Sequence, residues 1–120
     1  MRLFRPPHGA LTRATRFDLL RLGYQSVTWD VVVEDWLEQP ATGLAHRIVQ
    51  GARPGSIVLL HDAVRPAGPD SLSCIDRGYL IDALGIALPK LVSDLRLVTV
   101  PAMLQMGRPV YRDWYYNSAG

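Results

Sequence analysis

The alternation of hydrophobic and polar positions along the chain predicts short strands separated by helices. Apolar side chains recur near helical spacing over residues 12–22, and Gly23 then stands where a helix commonly stops. A second helix is predicted over 42–50 with Thr42 as its N-cap, and a third over 75–95. Only short segments remain between these helices for strands and turns.

The strand predictions depend on runs of β-forming residues. Extended structure is predicted for 1–9, 24–29 and 97–100, and residues 31–33 either prolong the second of these or begin a loop. The unbroken apolar run 56–60 is typical of a parallel strand that is buried on both faces. A turn is predicted at 53–55 and a loop at 63–72. A brief helical turn follows residue 101, and an aromatic tail covers 105–120. Because strands and helices alternate, the predicted fold class is α/β with largely parallel strands.

Length and charge narrow the function classes. At 120 residues the chain is one domain at most, or part of one. Its net charge of +2 is spread along the chain, so no nucleic-acid partner is predicted. No apolar run approaches the roughly 20 residues that span a bilayer, and the first residues lack the apolar stretch of a signal peptide. With Cys74 as the single cysteine the compartment stays undetermined, and it is taken as cytoplasmic by default.

Three short segments combine residue types that carry chemistry. In chain order they are Arg5-Pro6-Pro7-His8-Gly9, Asp35-Trp36 and Leu59-Leu60-His61. Taken singly, Arg5 reads as a surface arginine before a turn, Asp35 as a turn cap beside a half-buried Trp36, and His61 as a strand-end histidine facing solvent. Their order, with strand and helix signals between them, favours a shared site.

These segments resemble the third, fourth and fifth motifs of the polysaccharide deacetylases, carbohydrate esterase family four. The resemblance covers residues 3–104 and is to the C-terminal half of that family. It implies part of a distorted (β/α) barrel whose N-terminal half is missing. The expected organisation is a partial deacetylase domain over 1–104 followed by a tail over 105–120. It also implies a site at the C-terminal ends of the strands, as in other α/β barrels.

The resemblance implies a role for each matching residue. Arg5 would hold the catalytic-base aspartate, and the backbone at His8 would help to polarise the scissile carbonyl. Asp35 would contact the catalytic histidine, which is His61, the general acid for the leaving amine. Two residues would contact substrate: Trp36 as a groove wall and Leu59 as a lining of the acetyl pocket. An aspartate is common in the family at the position of Val32, which departs from the pattern.

The two family motifs that supply the base and the metal ligands have no match in this sequence. Zinc or another divalent metal is implied for the intact family, and no metal or other cofactor is expected in this chain. The three histidines, His8, His46 and His61, include no pair one helical turn apart, and His46 reads as a surface residue of a helix.

Two functional hypotheses therefore stay open. The family activity is metal-dependent hydrolysis of N- or O-acetyl groups on a polysaccharide or oligosaccharide, and this chain would be inactive alone. The alternative is a truncated, non-catalytic remnant, or a half domain that binds carbohydrate or is completed by a partner. The expected partner is an N-acetylated glycan, and exposed strand edges would allow association.

Overall fold

A computed structural model describes residues 2–65 and 74–112. These residues form two compact units. The terminal unit contains residues 2–28 and 99–112, and the central unit contains 29–65 and 74–98. Most of the predicted loop 63–72, and the aromatic cluster at 114–116 in the predicted tail, lie outside the described residues.

In the terminal unit a helix connects two parallel strands. Strand β1 is Arg2–Phe4, helix α1 is Arg13–Arg21 and strand β2 is Tyr24–Ser26. The strands pair in parallel with Arg2 opposite Tyr24. Gly23 adopts φ +75°, a left-handed conformation that glycine reaches at little cost after a helix. The predicted helix 12–22 is confirmed, whereas the predicted strand 24–29 ends earlier, at Ser26.

In the central unit two further strands pair in parallel, and two helices cover one of their faces. Strand β3 is Val31–Val32 and β4 is Val58–Leu59, with Val31 opposite Val58 and Val32 opposite Leu59. Helix α2 is Ala41–Gly51 and helix α3 is Gly78–Asp94. Val31 and Val32 thus form a strand of their own that ends before Val33, and the strand predicted at 56–60 is shorter than expected.

The core of the central unit lies between β3 and the two helices. Its members are the buried apolar residues Val31, Val33, Leu44, Ala45, Ile48, Leu80, Ala83, Ala87 and Leu91. The α3 members recur every three or four positions, so they form one face of that helix. A Cβ atom built on Gly51, at the end of α2, would lie 2.5 Å from Cγ1 of Val31. The close approach of α2 to β3 therefore depends on a glycine at this position.

Two sequence predictions are wrong at helix starts. Helix α2 begins one residue before Thr42, and Pro40 occupies the N-cap without a side-chain bond, so Thr42 is not the cap. The strand predicted at 97–100 is absent. Helix α4, Val100–Met106, begins there instead, because the Thr99 hydroxyl accepts a bond from the amide of Ala102. Pro101 fits the first turn of α4, where no amide donor is needed.

Within residues 2–65 and 74–112, each helix is too short or too polar to cross a bilayer.

Candidate active site

Two aspartates link β3 to β4 by hydrogen bonds, one at each end of the strand pair. Before β3, Oδ1 of Asp30 accepts a bond of 2.7 Å from the amide of Ile57, which precedes β4. After β3, Oδ2 of Asp35 accepts a bond of 2.8 Å from the amide of His61, which follows β4. Each carboxylate joins a residue flanking one strand to an amide flanking the other. The register of the strands is thereby fixed at both ends, and His61 is held beside Asp35.

The side chain of His61 also bonds Asp35. Its Nδ1 lies 2.9 Å from Oδ1 of Asp35, whose side chain is fully buried. An ionised carboxylate only accepts hydrogen bonds, so Nδ1 must carry the proton. Nε2 is then the ring atom that is left to exchange a proton with a substrate. The His61 side chain is 34% exposed, so the ring reaches solvent, while its bond to the buried Asp35 fixes its orientation.

Arg77 is the third member of this cluster, and sequence reasoning did not identify it. Its Nη2 lies 2.5 Å from Oδ2 of Asp35 and 3.0 Å from the carbonyl oxygen of His61. Its Nη1 donates to the carbonyl oxygen of Asp35 at 2.6 Å and to the hydroxyl of Tyr79. The Tyr79 hydroxyl in turn donates to the same Asp35 carbonyl at 2.7 Å. Asp35 is thus a buried anion between a histidine and an arginine.

A local signal for the position of Arg77 does exist. Asp76 lies just before α3, and its Oδ1 accepts a bond of 2.9 Å from the amide of Gly78. An aspartate before a run of helical residues marks a helix start. That signal places Arg77 at the N-cap of α3, but it does not say which group the side chain contacts.

The segment that carries Asp35 and Trp36 is braced by its own backbone. Glu34 adopts φ +51°, which is uncommon for a residue other than glycine. Its carbonyl oxygen accepts bonds from the amide of Leu37 at 3.0 Å and from Nε2 of Gln39 at 2.8 Å. The turn places Trp36 against His61, edge to face, with ring centroids 5.7 Å apart. Strained residues that are held by neighbours in this way cluster at functional sites.

The other predicted site residues belong to other elements of the structure. Leu59 is buried, with 6% exposure, in β4. Arg5 and His8 belong to the terminal unit, where Arg5 is exposed. His8 has φ +55° within a short 3-10 helix, Pro7–Gly9, and Gly9 is buried with φ +69°. The structure therefore brings together Asp35, Trp36 and His61, and it adds Arg77 and Tyr79.

The residues described so far do not by themselves fit a catalytic metal. A catalytic zinc takes three protein ligands and keeps one open position. Across 2–65 and 74–112, no three side chains of histidine, cysteine, aspartate or glutamate come together as such a group. His46 is exposed on α2, as predicted, and Cys74 is an exposed free thiol. The chemistry that this arrangement offers is proton transfer at His61.

Comparison with known proteins gives several similar deacetylases, although no model of a protein family matches the chain. It is 38% identical over 66 residues to a chitooligosaccharide deacetylase of Azorhizobium caulinodans. The matched segment is 55% of this chain and 31% of that protein. It is 33% identical over 106 residues to a peptidoglycan-N-acetylglucosamine deacetylase of Bacillus cereus, which is 86% of this chain and 45% of that protein.

A solved structure agrees with these sequence matches. The crystal structure of the Bc1960 peptidoglycan N-acetylglucosamine deacetylase, in complex with 4-naphthalen-1-yl-N-oxidanyl-benzamide, superposes with a TM-score of 0.69 at 25% identity. The match covers 87% of this chain and 45% of that one. The chain therefore spans less than half the length of these relatives, and the predicted α/β fold of parallel strands and helices is confirmed as part of a larger domain. Over most of its length, the chain is therefore similar to part of the domain of known polysaccharide deacetylases.

Proposed function

We propose that this chain carries the proton-donor wall of a polysaccharide deacetylase site, with His61 as the general acid. The observation that supports the proposal is the pair formed by Nδ1 of His61 and the buried carboxylate of Asp35, 2.9 Å apart. A histidine held in this way has one defined tautomer and one exposed ring nitrogen, which is what proton transfer near neutral pH requires.

Removal of an N-acetyl group breaks the bond between the carbonyl carbon and the sugar nitrogen. The nitrogen leaves as a neutral amine only if it gains a proton as the bond breaks. His61 in its doubly protonated form gives the Nε2 proton to that nitrogen, and Nδ1–H keeps its bond to Asp35 throughout. A water molecule supplies the oxygen that bonds to the carbonyl carbon, and its two protons pass to a base from outside this chain and to solvent, so the products are acetate and a free amino sugar. An acid placed in this way typically contributes about 100- to 10,000-fold to the rate.

The remaining predicted residues are assigned by position and by the family resemblance. Trp36 contacts the His61 ring, so a sugar that places its nitrogen at Nε2 would meet the indole as well. Leu59 lies two positions before His61 and would line the acetyl pocket. Arg5 would hold a base aspartate, and His8 would present its backbone to the carbonyl. The role of Arg5 needs a base aspartate, and the family motif that supplies this base has no match in the sequence.

We also propose that the isolated chain does not deacetylate glycans. Its three histidines include no pair at helical spacing, and neither metal-binding motif of the family matches its sequence. A half domain that a second chain completes is a weaker alternative to an inert remnant. The described strands form two sheets of only two strands each, and sheets of this size are marginal unless more strands or helices join them.

The test compares the chain alone with a chimera. The chimera joins the chain to the portion of the Bacillus cereus deacetylase that the match does not cover. Both are assayed for acetate release from chitooligosaccharides with zinc present. We expect activity from the chimera only, with kcat reduced at least about 100-fold in His61→Ala. His46→Ala, an exposed histidine of α2, is the matched control and should retain full activity. A chimera whose activity survives His61→Ala would contradict the proposed acid, and zinc-dependent activity of the chain alone would contradict its proposed inactivity.

A further inference from the structure

The buried carboxylate of Asp35 needs a positive counter-charge, which a neutral His61 does not supply. The Asp35 side chain is fully buried, and a buried carboxylate is costly unless it is paired and hydrogen-bonded. A neutral His61 supplies a donor but no positive charge. Arg77 supplies the charge, with its side chain only 9% exposed and its Nη2 at 2.5 Å from Oδ2. The carboxylate thus has one oxygen for the imidazole and one for the guanidinium.

We infer that Arg77 is a positioning residue, which sets the orientation and tautomer of His61 through Asp35. The guanidinium bonds the carbonyl oxygens of both Asp35 and His61, at 2.6 and 3.0 Å, as well as the carboxylate. It therefore fixes the segments that follow β3 and β4 relative to each other. With both segments fixed, Oδ1 of Asp35 stays opposite Nδ1 of His61.

The chemistry of the site requires arginine in particular. Arginine carries five donors in a rigid planar fork, whereas lysine is a single flexible ammonium. Four acceptors surround this fork: a carboxylate oxygen, two carbonyl oxygens and the Tyr79 hydroxyl. The guanidinium carbon also lies 4.9 Å from the centre of the Tyr79 ring, within the range of a cation–π contact. A lysine keeps the charge but cannot reach these acceptors together.

Removal of Arg77 has a defined consequence for His61. The buried carboxylate of Asp35 would lose its counter-charge and would be held only by the amide and the ring of His61. The segments after β3 and β4 would no longer be fixed relative to each other, so the contact between Oδ1 and Nδ1 would loosen and the two neutral tautomers of the ring would mix. A role confined to packing predicts lower stability without this change in the ring.

The test is nitrogen-15 NMR of the histidine rings in the complete 120-residue chain. Wild type is compared with Arg77→Lys, Arg77→Met and Tyr79→Phe, and His61→Gln assigns the signals. Arg47→Met is the matched control, because Arg47 makes an exposed pair with Glu34 at 3.5 Å, one residue from Asp35. We expect His61 to hold its proton on Nδ1 in wild type and in Arg47→Met. The tautomers should mix fully in Arg77→Met and partly in Arg77→Lys.

Each outcome decides the inference. A wild-type His61 with the averaged tautomers of a solvent-exposed histidine overturns it, as does an unchanged tautomer in Arg77→Met. If Arg77→Met does not fold, the remaining folded variants decide. Tyr79→Phe keeps the ring but removes one acceptor of the fork, so it should shift the tautomers slightly and Arg77→Lys more strongly. Wild-type tautomers in both of these variants overturn the inference.

The contribution of Arg77 to catalysis rests on the proposed function, whereas its effect on the His61 tautomer, which NMR measures, does not. In the chimera, Arg77→Lys should lower kcat about 100-fold, the loss expected for a displaced catalytic group, with KM little changed. An inactive chimera would count against the proposed function and would leave the tautomer result intact. If Arg77→Lys mixes the tautomers of His61 but leaves kcat unchanged, Arg77 does not contribute to catalysis.

Discussion

The substitution Asp35→Asn tests the central feature of the site, a buried carboxylate between two donors. Asparagine keeps the shape but replaces one acceptor oxygen by a donor. If the amide nitrogen faces Arg77, two donors oppose each other. If it faces His61 instead, Nδ1 must become an acceptor and the ring proton moves to Nε2. The second arrangement retains more bonds, so we expect the tautomer of His61 to reverse.

The same change removes the counter-charge of Arg77, whose side chain is 9% exposed. Breaking a buried ion pair by removing one partner typically costs about 3–5 kcal/mol of unfolding free energy. Domains of this kind are stable by roughly 5–15 kcal/mol. We therefore expect Asp35→Asn to remove a large fraction of the stability of the central unit. Amide hydrogen exchange of the α2 core residues, such as Leu44 and Ile48, reports that unit directly.

Asp30→Asn is the matched control, because Asp30 lies at the other end of β3. Its side chain is 32% exposed, and its partner Arg53 is 72% exposed at 3.3 Å. An exposed pair of this kind contributes about 0–1 kcal/mol. An asparagine oxygen still accepts the amide of Ile57, so Asp30→Asn should cost on the order of 1 kcal/mol. Equal losses in Asp30→Asn and Asp35→Asn would refute the buried-pair reasoning.

Two further predictions concern the framework. Gly51→Ala should destabilise the central unit by about 1–3 kcal/mol, because its Cβ would lie 2.5 Å from Val31. Gly43→Ala, in the same helix with nothing within 4 Å, should stabilise it by about 0.4–1 kcal/mol, and chemical denaturation of both variants should show opposite signs. Thr12→Ala removes the 3.1 Å bond from the Thr15 amide and should weaken α1 by about 1 kcal/mol. Faster amide exchange confined to the first turn of α1 would show this loss, and unchanged exchange would contradict the cap.

Local signals in the sequence were sufficient for most of the helices and for the family. The periodicity over 12–22 and 42–50 led to α1 and α2 within a residue or two, because the repeat of apolar positions reflects one buried face. The resemblance identified from three short segments is confirmed by the deacetylase relatives. The strand predicted at 97–100 is wrong, because a threonine cap and a first-turn proline at 99–101 start a helix there.

The boundary at 104 between the partial domain and its tail stays a prediction. The same holds for the roles of the six site residues, which are catalytic for His61, Asp35 and Arg5 and substrate-binding for Trp36, Leu59 and His8. The structure adds what no local pattern could give for β3 and β4. Asp30 and Asp35 each bond an amide that flanks β4, 26 or 27 positions further along the chain. Such bonds exist only once the strands have paired, so a sequence shows the carboxylates but not what they hold.

The sequence by itself determined which residues can carry the chemistry: a histidine after an apolar run, an aspartate beside a tryptophan, and their order along the chain. Only the tertiary structure decided which groups hold this histidine in place. Arg77 reaches Asp35 across 42 positions of sequence, and its effect depends on a shared burial that removes water from the ion pair. Electrostatic interactions become strong only where solvent is excluded, and burial is a property of the folded chain.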